Sequence, residues 1–260
     1  MKIYLDYNIL LYLKNKEVNE TNTNLEELEK KIDNYKLNGH CFFFSPAHLE
    51  ELAVSKRHYD VDDKIINSDL EYFNNFFGKN SIRPRLGGDI SFRTEYPSAC
   101  YSRAIKDSKP NDYAELISEE RLKRIKLITN NGKIKNNSEN VFDKHDYEVL
   151  LCELNIILPE TDSDAIVYRD KNTLSLILNC FELRQNAIEV LSHIIELKNF
   201  YPEKMKNFRS RLYDIGHIIY ASYTELFITN DAKLLQKAKI IYDFLNIKTK
   251  VLSLKELLSN

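Results

Sequence analysis

MKIYLDYNIL, residues 1–10, is the stretch on which the reading of the fold turns. Residues 2–5 alternate weakly and read as a short strand buried in a sheet. Asp6 ends that run. The far end of the chain repeats the arrangement in ELFITND, residues 225–231, where an apolar strand over 225–229 is closed by Asp231. Two strands that each end at an aspartate suggest one sheet edge at which both acids stand.

The segments between them support such a sheet. A polar helix is expected over 24–37, stopped by Gly39. Residues 41–44 form a second strand in FFFSPAHLEELA, residues 42–53. Ser45 then caps a helix with Pro46 at its first position, and Phe44 and Leu49 are spaced to clamp its start. Residues 207–223 read as an amphipathic helix with Phe208, Arg211, Leu212, Ile215, Ile218 and Ile219 on one side. Asp214, His217 and Ala221 follow i, i+3, i+7 spacing beside that stripe. A helix over 234–244, a strand over 250–254 and a short closing helix complete the pattern. Strands alternating with helices predict a three-layer α/β/α sandwich around a central parallel sheet. Ligands of such folds sit beyond the carboxyl ends of the strands, where Asp6 and Asp231 are expected.

The middle of the chain differs. Residues 83–88 and 94–109 carry Pro, Gly and Arg and read as loops, and 130–140 is polar throughout. Residues 162–197 are long, apolar and helical, through Leu174, Ile177, Leu178, Phe181, Ile188, Leu191 and Ile195. Those side chains read as helix-packing core rather than a ligand pocket.

With 260 residues, 43% hydrophobic and 29% charged, the chain has enough apolar material for a proper core. No apolar run approaches the roughly 18 residues needed to cross a membrane, and Asp6 interrupts any signal-like start. Cys41, Cys100, Cys152 and Cys180 stand far apart without a CxxC pair. That argues against a zinc site or a disulfide framework and favours a reducing, cytoplasmic setting. The net charge of −2 hides an uneven distribution: residues 79–135 hold thirteen Lys and Arg against seven Asp and Glu. Phosphate backbones are gripped by local basic surface rather than by net charge. Arg83, Arg85, Arg93 and Arg103 are therefore expected to line a path for nucleic acid.

Four acids from four separate segments (Asp6, Glu51, Asp214 and Asp231) are the candidate site. Carboxylates brought together repel unless a cation holds them. A hard divalent ion such as Mg²⁺ or Mn²⁺, one or two per site, is the usual reason for such a cluster. Taken singly, Asp6 is also a turn or cap residue and Asp214 a surface acid. Helical spacing puts both Glu50 and Glu51 at the flanks of the Leu49, Leu52, Ala53 face and does not choose between them. His48 and His217 read as helix-surface or satisfied polar residues, since a metal-hydroxide mechanism needs no histidine. Gly216 inside a helix costs about 1 kcal/mol against Ala; it permits a close backbone approach or is neutral.

In these residues the chain resembles the PIN-domain nucleases. The resemblance rests on Asp6 with Asn8 after the first strand and on the SPAHLEEL passage. It continues in Asp214 followed by Ala221, and in Thr229 with Asp231. It covers roughly residues 1–60 and 205–260, which it implies are the catalytic core. Residues 61–204 are then a mainly helical insertion or cap packed on that core. The resemblance favours Glu51 over Glu50. It implies metal-dependent endonucleolytic cleavage, most often of RNA, leaving a 5′-phosphate and a 3′-hydroxyl. Asn8 and Thr229 would support the ligands or touch the substrate. A DNA-directed defence or structure-selective nuclease, and a catalytically inert module binding nucleic acid or protein, are the alternatives. A toxin role, a homo-oligomer and a regulatory protein partner stay open.

Overall fold

The computed structural model describes residues 1–15, 25–59, 61–85, 88–106, 123, 141–156, 169–201 and 208–259. Residue 24, 130–140, 162–168 and 207, on which parts of the expectations fall, lie outside them. Most of the basic segment beyond residue 106 does too.

Alternation of side chains organises the fold. Strand β1 (Lys2–Leu5) pairs in parallel with β2 (Cys41–Phe43) on one side and β5 (Leu226–Thr229) on the other, and β5 pairs in parallel with β6 (Lys250–Ser253). The sheet order is β2-β1-β5-β6. Tyr4, Phe43, Phe227 and Val251 point into one apolar core, while Ile3, Leu5, Phe42, Leu226 and Ile228 point into a second. Successive strand residues face opposite ways, so a sheet covered on both faces needs apolar side chains at nearly every position. These strands supply them.

Helices cover both faces. The second core is closed by α1 (Tyr7–Asn15), α2 (Leu25–Leu37), α3 (Pro46–Tyr59) and α4 (Asp63–Phe77), through Leu10, Leu28, Leu49 and Phe73. A further helix, α5 (Pro97–Lys106), packs on α3 and α4. The first core is closed by α6 (Lys144–Glu153), α7 (Lys171–Asn179) and α8 (Phe181–Leu197). It also takes residues from α9 (Phe208–Ala221) and α10 (Ala232–Leu245). The chain ends in α11 (Leu254–Ser259). Thus α4 and α8, from within 61–204, bury residues in the same two cores as the strands. Right-handed crossovers place α1 and α2 on one face and α10 on the other when the chain moves in opposite directions from the centre of the sheet. That is the observed distribution.

Parts of the two stretches read as loops, 83–88 and 94–109, belong to regular elements. Strands β3 (Ile82–Pro84) and β4 (Ile90–Phe92) form an antiparallel hairpin, and 97–106 is α5. The hairpin strands are only three residues long, too short for alternation to register. Phe44 anchors them: it bridges to Ser81 and accepts the Ile82 amide at 2.8 Å. The apolar stretch read as continuous over 162–197 divides in its described part, with Cys180 extended between α7 and α8. Among the described residues no helix is long and apolar enough to cross a membrane.

Candidate active site

The order β2-β1-β5-β6 has a reversal at its centre. From β1 the chain moves outward to β2, and from β5 it moves outward the other way to β6. The carboxyl ends of β1 and β5 are therefore the switch point of the sheet, the place where open α/β sheets bind ligands. Asp6 follows β1 and Asp231 follows β5 by two residues, so both acids stand at that edge.

Asp6 is buried, at 2% exposure. Its amide donates to the Ile228 carbonyl at 2.9 Å, extending the ladder, and its Oδ2 accepts from the Thr229 hydroxyl at 2.9 Å. The same Thr229 oxygen accepts the Asp231 amide at 3.0 Å. Asp231 caps α10, with its Oδ1 accepting from the amides of Lys233 and Leu234 at 2.7 and 2.9 Å. One oxygen of each aspartate is thus fixed by the fold. Asn8 lies exposed on the first turn of α1, just past Asp6.

Glu51 on α3 and Asp214 on α9 complete the group electrostatically. Burial pushes the Asp6 carboxyl up to about 6; Glu51 and Asp231 add to the rise, and His217 and the Thr229 bond oppose it. Burial pushes Asp214 up to about 8, with Asp6, Asp231 and Glu51 adding and His217 opposing. Glu51, not Glu50, faces this group. Glu51 meets His217 at 3.4 Å, whereas Glu50 is exposed and bears on Tyr220 and Cys100.

Of the two readings of the histidines, helix-surface or satisfied polar, the structure has the second. His48 and His217 are both buried, their rings 4.8 Å apart. The Ser45 amide donates to His48 Nδ1 at 3.2 Å, so the proton sits on Nε2, which donates to the Leu5 carbonyl at 2.8 Å. Burial, with His217 beside it, holds His48 well below the usual imidazole range. His217 Nδ1 lies 2.8 Å from the Tyr4 hydroxyl, itself 2.6 Å from Ser45 Oγ. Burial disfavours charge on His217, but Glu51, Asp6 and Asp214 together outweigh it and raise its pKa. The spacing of His48 with Glu51 and of Asp214 with His217, each i, i+3 on a helix, was the available signal.

Gly216 explains how two helices bring these groups together. A Cβ there would meet Ala47 Cβ at 3.2 Å, so the glycine lets α9 cross α3 closely. Its neighbours along α9 include Asp214 and His217.

Arg103 makes a two-pronged pair with Glu95 at 2.5 and 2.6 Å, and Arg83 stands 3.9 Å from the same carboxylate. Arg93 Nη2 reaches Cys41 Sγ at 2.8 Å, at the amino end of β2 and away from the acids. Arg85 is exposed near the hairpin tip. The four cysteines are free thiols.

Among the described residues no group of three or more His, Cys, Asp or Glu is set closely enough to hold a metal ion. The acids share a field rather than a finished ligand shell. In donor type they suit a hard divalent cation, being carboxylate oxygens in partly buried surroundings. No known protein family, curated protein or solved structure matches the chain.

Proposed function

We propose that the chain is a PIN-like, metal-dependent endonuclease that hydrolyses phosphodiester bonds, those of RNA before those of DNA. The observation that carries the reading is the pairing of Asp6 with Asp231 at the carboxyl ends of the two central strands, tied through Thr229. Burial with Glu51 and Asp231 raises the cost of charge at Asp6, and burial with Asp6, Asp231 and Glu51 raises it at Asp214. Such strain is relieved by protons or by a cation.

Asp6, Glu51, Asp214 and Asp231 would hold one or two Mg²⁺ or Mn²⁺ ions. A bound ion of this kind lowers the pKa of a water and shields phosphoryl oxygens. Thr229 holds Asp6 in place, the amides of α10 hold Asp231, and His217 partly offsets the acids. Asn8, exposed two residues after Asp6, would contact substrate.

End-labelled RNA and DNA incubated with the protein in Mg²⁺, Mn²⁺ or chelator test the reading. RNA is cut in metal, with 5′-phosphate and 3′-hydroxyl ends, and Asp6→Asn and Asp214→Asn abolish cutting. Preferential cutting of DNA would assign the same chemistry to a DNA-directed nuclease. A catalytically inert module is the second reading, favoured by the absence of a closely set ligand group among the described residues. Binding of nucleic acid without cleavage in either metal would establish it.

A further inference from the structure

The carboxylates are backed by a layer of buried hydrogen bonds that ends at Glu51. Ser45, Tyr4, His48 and His217 are all at most 1% exposed. Ser45 Oγ lies 2.6 Å from the Tyr4 hydroxyl, which lies 2.8 Å from His217 Nδ1. His217 Nε2 lies 3.4 Å from Glu51 Oε2. With Ser45 donating to Tyr4 and Tyr4 to His217 Nδ1, the imidazole hydrogen sits on Nε2, directed at Glu51. When His217 is protonated, both nitrogens donate and Nε2 still points its hydrogen at Glu51. Orientation of the carboxylate is therefore the same in either state.

We infer that Tyr4 and His217 are positioning residues, which hold the Glu51 carboxylate at the acid group so that it can join Asp6 and Asp214 on a metal ion. The inference rests on the metal-centre reading above. The residues that hold a ligand in place are worth about 10–100-fold in metal affinity. Tyr4 lies on β1, two residues before Asp6, and His217 lies on α9, three after Asp214. The layer thus ties Glu51 to the two elements that carry those acids. His48 supports the same strand end by donating to the Leu5 carbonyl at 2.8 Å.

The test is calorimetric titration of Mn²⁺ into the wild type, Tyr4→Phe, His217→Ala, His217→Gln and Glu51→Gln, with melting in chelator as a fold control. Tyr4→Phe and His217→Ala should weaken Mn²⁺ binding about 10–100-fold. His217→Gln, whose amide still donates towards Glu51, should recover most of the loss. Combined with Glu51→Gln, either Tyr4→Phe or His217→Ala should weaken binding little further, because each acts through Glu51. Equal Mn²⁺ affinity in the wild type and Tyr4→Phe would overturn the inference and leave the metal centre standing. So would losses that multiply independently with that of Glu51→Gln. A wild type that binds no Mn²⁺ at millimolar concentration would overturn both.

Discussion

Thr229 donates its hydroxyl hydrogen to Asp6 across the two central strands, at 2.9 Å, with both side chains buried. Its oxygen also receives the Asp231 amide. One side chain therefore sets the separation of the two strand-end acids. Thr229→Val keeps the shape and removes both bonds. Loss of a buried partner should cost about 1–3 kcal/mol, read by urea unfolding. The Thr229 bond lowers the Asp6 pKa, so its loss should move the acidic limb of metal-dependent activity to higher pH.

Stability without metal should fall as pH rises. Asp6 and Asp214 have folded pKa values of about 6 and about 8, above the unfolded value. Between the two values the folded state binds more protons than the unfolded one, and stability declines with pH. Raised His217 acts in the same direction, losing stability as pH climbs through its folded pKa. His48, held neutral in the fold, opposes this only below the ordinary imidazole value near 6.5. The decline should thus be clearest between pH 7 and 8, and Asp214→Asn should flatten it. Melting curves in chelator at stepped pH check the slope; a stability that climbs from pH 7 to 8 would refute the raised Asp214.

Asp231 serves both a helix and the site, and the two roles separate by substitution. Asn caps helices about as well as Asp, whereas Ala at an N-cap costs about 1 kcal/mol. Asp231→Asn should melt in chelator at or above the wild-type temperature, and Asp231→Ala below it. Both should lack cleavage, and Mg²⁺ should raise the wild-type melting temperature more than that of either variant. Full activity in Asp231→Asn would remove Asp231 from the site.

Gly216→Ala brings a methyl to 3.2 Å from Ala47 Cβ, where α9 crosses α3. The helix gains about 1 kcal/mol in propensity, so global stability should change little. Activity should fall, because Asp214 and His217 shift with α9 relative to Glu51. Ala47→Gly in the same chain should restore it. An active Gly216→Ala would show that the crossing tolerates the methyl.

Much of this was legible because local chemistry and tertiary role coincide. The β1 run ending at Asp6, the Ser45-Pro46 start of α3 and the β5 run ending at Thr229 each announce an element and its boundary. The hairpin over 82–92 was not, since its strands are held by Phe44, distant in sequence. Polar side chains between helices were hidden for a similar reason. Periodicity locates His48 and His217 on a helix face but is silent on whether that face meets water or another helix. Their partners, Tyr4 and the Leu5 carbonyl, come from a strand more than forty residues away. Charge counts along the chain likewise do not reveal that Arg83 and Arg103 both meet Glu95.

The most direct measurement is the anomalous difference map of crystals grown with Mn²⁺, recorded near the manganese edge. A peak at the carboxyl ends of β1 and β5, within coordination distance of Asp6, Asp214 and Asp231 and with Glu51 turned towards it, is the expected result. Crystals that bind Mn²⁺ elsewhere, or show no peak between those four acids at millimolar Mn²⁺, would contradict it.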